Sequence, residues 1–221
     1  RVNVILTNPP FGGEEEAGTL NNFPEDRRTA ETALLFLQLI MRRLKRAGRG
    51  RAAVVVPHGT LFGDGISARI KADLLEKFNL HTVVRLREGV FAPYTDIPAN
   101  LIFFDTSGPT KDIWYYELPL PEGRKKYSKT APMAYEEFAG CLGWWNNREE
   151  NERAWKVSAA DLIQRDAQGR VTGCNLDIKN PHSGEVADHR APTEIVDAII
   201  AQEKRILGIM DEIKAALAEL A

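Results

Sequence analysis

The chain opens on the apolar run Val2-Asn3-Val4-Ile5-Leu6, cut off by Asn8-Pro9-Pro10, which predicts a strand followed by an abrupt turn. Residues 12–30 are rich in Gly, Glu, Asn and Arg and nearly without periodicity, as in a long mobile loop of the kind that carries function. Over about 31–46, Ala33, Phe36, Leu37, Ile40 and Leu44 recur at helical spacing, Lys45 and Arg46 suit the helix dipole, and Gly48 suits a left-handed cap. Arg51 to Val56 is a strand ended by Pro57. A second helix over about 66–78 places Ile66, Ile70, Leu74 and Phe78 on one face, and Leu80 to Leu86 is the next strand.

Strand, loop, helix, strand, helix and strand with short connections is the order of a doubly wound α/β sheet. Ala99 to Asp105 and Ile113 to Leu118 are strands with no helical period before either, so at least one pair near the end of the sheet is expected to be antiparallel. Residues 119–132, with three Pro and a basic run, are expected to be a surface excursion; residues 133–175 are expected to be a small appendage anchored by Trp144, Trp145 and Trp155. Beyond Pro192, the residues Val196, Ile199, Ile206, Met210, Ile213, Leu217 and Leu220 alternate three and four apart, interrupted by Glu203, which predicts a long helix with a coiled-coil-like seam. The expected division is 1–118, an α/β core; 119–175, an appended surface segment; and 176–221, a linker and long helix. Because the chain starts on a core strand with no lead-in, a further N-terminal region is expected in the natural protein.

Composition narrows the function classes. The 221 residues are 43% hydrophobic and 27% charged with mean hydropathy −0.31, the balance of a soluble globular protein. No apolar run approaches the ~20 residues of a membrane span, so no membrane partner is expected. The formal charge is −2 and the pI about 6.2, so any grip on nucleic acid must be local or shared with a partner. Cys141 and Cys174 form no CxxC and have no His at metal-finger spacing; no metal is expected, and a reducing, cytoplasmic location fits.

The chemistry concentrates at Asn8, Pro9, Pro10 and Phe11. In an open α/β sheet the carboxyl end of a strand faces the ligand crevice. Two prolines remove backbone donors and fix φ, which aims the Pro9 carbonyl as an acceptor. The Asn8 amide oxygen is a second acceptor and Phe11 a flat apolar face. Together they suit a planar aromatic group bearing an amine, whose hydrogens are held while its ring stacks. An ordinary Pro-rich turn with a core Phe is the competing explanation.

Asn8-Pro9-Pro10-Phe11 after a strand resembles the catalytic motif of amino-methylating DNA methyltransferases, and residues 1–105 resemble the second half of their domain. Residues 44–57 are similar to the helix, glycine turn and strand that follow that motif. Residues 89–95 with Asn100-Leu101-Ile102-Phe103-Phe104 resemble a later hairpin that lines the target-base pocket. With residues 144–145, 154–157 and 175–182, the pattern is similar to the HsdM-like modification subunit of type I restriction-modification systems. Asp96-Ile97-Pro98 departs from it, since relatives more often carry Gly and a basic residue there.

The resemblance implies the second half of a Rossmann-like methyltransferase sheet, mixed and with an antiparallel strand at its end, plus a helical C-terminal extension. It implies transfer of a methyl group from S-adenosylmethionine to the 6-amino group of a flipped adenine, in the full-length protein. Asn8 and Pro9 would hold the amine, Phe11 would stack on the base, and Phe91 and Tyr94 would wall the pocket. It further implies DNA, a DNA-specificity subunit, a second modification subunit and the restriction subunit as partners. The donor's usual Gly-x-Gly turn after a first strand has no counterpart here, so this stretch alone is expected to be inactive. The glycines at 12–13, 48–50 and 63–65 are better explained as turns or caps.

The basic residues Arg42, Arg43, Lys45, Arg46, Arg49 and Arg51 are explained as dipole partners and surface. Arg124, Lys125, Lys126 and Lys129 around Tyr127 are weighed as DNA contacts. His58, His81, His182 and His189 lack a nucleophile setting and are expected to be structural. Two alternatives stay open: a methyltransferase-like scaffold for subunit interaction, and methylation of a protein glutamine, against which the long stretch after residue 105 argues.

Overall fold

A computed structural model describes residues 1–13, 15–183 and 192–219, in two units, Arg1–Ser183 and Gly184–Ala221. The first unit runs β1 (Val4–Thr7), α1 (Ala17–Leu20), α2 (Thr32–Arg43), β2 (Arg51–Pro57), α3 (Ile66–Lys77), β3 (Asn79–Arg85), β4 (Ala99–Asp105), β5 (Asp112–Glu117), α4 (Ala139–Trp145), β6 (Ala154–Ser158), β7 (Ile163–Arg165) and β8 (Val171–Cys174). The second contains α5 (Pro192–Glu219).

Six strands form one mixed sheet in the order β1-β2-β4-β3-β5-β6. β1, β2, β3 and β5 run one way; β4 and β6 run the other. An antiparallel strand does end the sheet, as expected, but the strand that the broken alternation pointed to, β4, lies in the interior. The crossover from β2 through α3 to β3 skips one strand position, and β4 returns from β3 into the gap, bonded on both sides. This placement uses both of its faces. Ile102 and Phe104 join the core beneath the helices, while Leu101 and Phe103 point to the opposite side.

Helix α2 buries Ala33, Leu34, Leu37, Ile40 and Met41, and α3 buries Ala68, Ile70, Leu74 and Leu75, all but Ala33 against one face of the sheet. The expected periodicity therefore appears in both helices, although Phe36 is only half-buried. The small β7–β8 hairpin packs on α3. The other face carries a separate cluster around Val84, Tyr116, Cys141 and Trp144.

Residues 119–175 do more than lie on the sheet. They supply its edge strand β6, whose Trp155 is 2% exposed and stacks on Tyr115 at 5.3 Å between ring centroids. Trp144 is also a packing anchor, buried and donating its Nε1 hydrogen to the Glu149 carbonyl at 2.9 Å. Both cysteines are free and buried.

The connection from β1 to α2 differs from a loose loop. Arg27 donates to Asp73 at 2.7 Å, Gln38 to the Arg27 carbonyl at 3.0 Å, and Arg69 to the Asp26 carbonyl at 2.9 Å. Arg42 donates to the Asn22 carbonyl and lies over the Phe23 ring. Charged side chains, invisible to hydrophobic periodicity, tie these residues to α2 and α3.

On α5, Val196, Ile199, Ile206, Met210 and Ile213 keep the expected three-and-four spacing. The continuation of that seam at Leu220, like His189, lies outside the described residues. Among the described residues no helix is long and apolar enough to cross a membrane.

Candidate active site

Among the described residues β1 pairs with β2 alone, in parallel and at the sheet edge, with Thr7 opposite Val54. Asn8 therefore leaves the sheet at its carboxyl-terminal edge while β2 continues to Pro57. Farther along that edge the chain closes over itself. Leu176 donates to the Leu61 carbonyl at 2.7 Å, Tyr115 to the Leu176 carbonyl at 2.9 Å, and Arg85 to Asp177 at 2.7 Å and the Ile178 carbonyl at 2.6 Å. Among the described residues this strap covers the ends of β3 and β5 and does not reach the end of β1.

There, Asn8, Pro9, Pro10, Phe11, Gly12, Phe91, Tyr94, Thr95 and Ile97 line a cleft of about 560 Å³. All six residues that the sequence singled out thus meet at one place. Phe11 and Phe91 touch edge to face with centroids 4.9 Å apart, and both pack on the cluster around Val84, Tyr116, Cys141 and Trp144. Pro9 is buried and Asn8 exposed. Neither the Asn8 side chain nor the Pro9 carbonyl has a hydrogen-bond partner among the described residues. Two free acceptors beside two aromatic rings can bind a flat apolar group with an amine at its edge. Tyr94 is 92% exposed and stands at the rim.

The opposing wall, residues 89–97, is a series of turns. Ala92 donates to the Gly89 carbonyl at 3.0 Å, and Tyr94 and Thr95 to that of Phe91 at 3.0 and 3.3 Å. His58 donates its backbone N–H to the Pro98 carbonyl at 2.8 Å, which fastens the wall to the end of β2. Thr95 and Ile97 are lining residues that sequence reasoning did not assign. For Ile97 the signal was the departure of Asp96-Ile97-Pro98 from the resemblance; Asp96, between the two, pairs with Lys126 at 2.9 Å.

The cluster of Arg85, Asp177 and His58, whose Nε2 lies 3.6 Å from Asp177, was also missed, because Asp177 is remote in sequence. His81 is half-buried, and burial lowers its pKa. Arg46 lies over the Phe78 ring, which agrees with a structural role for that basic group. Among the described residues no cluster of three or more His, Cys, Asp or Glu could hold a metal ion.

Of the glycines weighed for a nucleotide cradle, Gly12 lines the cleft, whereas those at 48, 50 and 65 serve turns and a cap. Gly48 has φ 72° and donates to the Thr106 carbonyl, a Cβ on Gly50 would lie 2.4 Å from the Lys45 carbonyl, and Gly65 caps α3 with φ 61°. Among the described residues the glycines at 48, 50 and 65 offer no nucleotide cradle. A second depression, about 620 Å³, lies at the opposite edge of the sheet among Asn3, Arg49, Asp105 and Trp145 and does not contain the motif.

The model of a family described as N-6 DNA Methylase matches residues 1–183. The methylase subunit of the type I restriction enzyme EcoEI from Escherichia coli is 49% identical over 221 residues, spanning 97% of this chain and 43% of its own length. Among solved structures, a modification subunit ascribed to a type I restriction enzyme of Vibrio vulnificus YJ016 is 67% identical with TM-score 0.83, over 86% of this chain and 40% of that one. A structure described for complex assembly and conformational transition of the type I R-M system is 43% identical with TM-score 0.74, over 98% of this chain and 45% of that one. The chain spans less than half the length of these relatives.

Proposed function

Because the chain belongs to the N-6 DNA methylase family, we propose that it is the amine-holding part of a type I restriction-modification methylase subunit, which transfers a methyl group from S-adenosylmethionine to the 6-amino group of adenine in DNA. The observation that carries this reading is the meeting of Asn8, the Pro9 carbonyl, Phe11 and Phe91 in one cleft at the carboxyl end of β1.

An adenine turned out of the duplex presents a flat ring and an exocyclic NH₂. The Asn8 Oδ1 and the Pro9 oxygen accept one amine hydrogen each, and Phe11 and Phe91, in contact with each other, flank the ring. Holding both hydrogens on fixed acceptors draws the nitrogen lone pair out of conjugation and toward attack. Because β1 and two prolines fix the Pro9 carbonyl before the base arrives, little reorganisation is needed at that acceptor. Pro10 keeps the turn stiff, and Tyr94 closes the rim. The roles assigned to this chain stop at the base and its amine.

The same reading gives the protein a cytoplasmic place beside a DNA-specificity subunit, a second modification subunit and the restriction subunit. The apolar seam of α5 supports a partner helix, because a stripe of Val196, Ile199, Ile206, Met210 and Ile213 needs a cover.

The test is methyl transfer from labelled S-adenosylmethionine to duplex DNA by the complete methylase with Asn8→Ala. Loss of one positioned polar group costs roughly 100-fold or more in rate. Full activity in a folded variant removes Asn8 from the reaction and with it this reading.

A further inference from the structure

The segment around Tyr127, expected as a surface excursion, is pinned beneath the cleft wall. Tyr127 is 1% exposed, its N–H donates to the Glu88 carbonyl at 3.0 Å, and its hydroxyl bonds Glu137. Gly89, at the start of the wall, lies so close that a Cβ there would sit 2.2 Å from the Tyr127 carbonyl oxygen. Lys126 bonds Asp96, the residue between Thr95 and Ile97 of the cleft, and lies 3.6 Å from Glu88. Reciprocal bonds between Ser128 and Ala131 close the far side of the loop. This buried tyrosine and its ion pair hold a strongly basic loop at the rim of the cleft.

The remaining cations are not used up in this anchoring. Arg124, Lys125 and Lys129 are exposed, and among the described residues none has a carboxylate within ion-pair distance. Arg124 donates to the Pro132 carbonyl at 3.4 Å and lies over the Tyr127 ring at 5.9 Å, contacts that orient the guanidinium without neutralising it. Glu122 is the one acid within residues 122–130, against four Arg or Lys. In a chain of formal charge −2, such a local excess points to a polyanion.

We propose that residues 123–130 form a cationic lip that holds the sugar-phosphate backbone of duplex DNA beside the extrahelical base, through Lys125, Lys129 and Arg124. The inference rests on the reading of the cleft as a base pocket. Its physical basis is that a base can enter the cleft only if the strand that carries it runs past the rim, and the lip stands at that rim. Pre-fixing the loop through Tyr127 lowers the ordering cost of gripping phosphates. Lys126 is the anchor in this arrangement, and Lys125, Lys129 and Arg124 are the grip. Such contacts carry no sequence information, so they serve every target equally.

The experiment compares the complete methylase with its Lys125→Gln/Lys129→Gln variant, using labelled duplex DNA over a series of salt concentrations. Each lost phosphate contact lowers the slope of log K against log salt by about 0.9. The double variant is therefore expected to flatten the slope by about 1.8 and to weaken specific and unrelated duplexes alike. An unchanged slope overturns the lip, including the case in which these cations serve an acidic protein surface instead. Circular dichroism and the melting temperature, expected unchanged for two exposed lysines, show that the variant is folded. Phe11→Ala separates the two proposals: it is expected to lower 2-aminopurine fluorescence at the target base and leave the salt slope as in the wild type. A flattened slope in the lysine variant, with no 2-aminopurine response in the wild type, supports the DNA grip and defeats the base pocket.

Discussion

Phe11 and Phe91 meet edge to face across the cleft, centroids 4.9 Å apart and ring planes at 75°. One ring follows the first strand and the other sits in the turns between β3 and β4, so two segments remote in sequence meet here. The contact makes this wall of the cleft a composite of two remote segments, which lets each ring be tested separately.

Phe11→Ala removes a stacking surface without removing an acceptor. Base–aromatic stacking is worth about 1–3 kcal/mol per base by alanine substitution, so capture of the extrahelical base weakens roughly 5- to 150-fold while Asn8 remains in place. The rise of 2-aminopurine fluorescence at the target position reports this, and Phe11→Tyr should restore most of it. Equal signals from the alanine and wild-type proteins would show that Phe11 only packs the fold.

Gly89→Ala tests the support of the wall. Gly89 has φ 79°, and the added methyl would meet the Tyr127 backbone, which has no flexible end to yield. The left-handed conformation and the overlap together cost about 1–3 kcal/mol, read as a lower urea midpoint. The basic loop and the wall should loosen together, visible as faster amide exchange at both. Wild-type stability in this variant would mean that the two segments do not depend on their contact.

Lys71 is 1% exposed and donates to the Leu61 and Gly63 carbonyls at 3.2 Å, beneath the turn that follows β2. Burial pushes its ammonium down to about 8, despite the opposing pull of Cys174, Asp64 and Glu31. An unfolded lysine keeps its proton to about 10.4. Between these values the unfolded chain binds more protons, so this group makes stability rise with pH, by at most about 1.4 kcal/mol per unit; below about 8 its full charge is a constant cost. Subtracting urea melts of Lys71→Met from those of the wild type should isolate that rise, since other titrating groups largely cancel. Parallel stability curves from about pH 7.5 to 10 would refute it.

By itself, the order of residues determined the local elements and the first half of the site. Strand β4 runs over the same residues, Ala99–Asp105, that its apolar run marks, and α2 and α3 bury the faces their spacing marks. Asn8 through Phe11 were legible because proline chemistry after a strand is local: φ, missing donors and the strand end are set by adjacent residues. Phe91 and Tyr94 were reached only through resemblance to a family, and where this chain departs from it, at Asp96 and Ile97, sequence was silent about what those residues do.

Tertiary structure alone decided what depends on contacts between remote segments. It put β4 inside the sheet, because only the crossover geometry of α3 leaves a vacant strand position. It drew residues 154–158 into the same sheet as its edge strand β6, because Trp155 finds the Tyr115 ring there. It closed the edge over β3 and β5 through the Arg85–Asp177 pair, a strap that among the described residues does not reach the end of β1. It also fastened the basic loop to the cleft through Tyr127 and Lys126, since hydrogen bonds and ion pairs between distant polar residues leave no periodic trace along the chain.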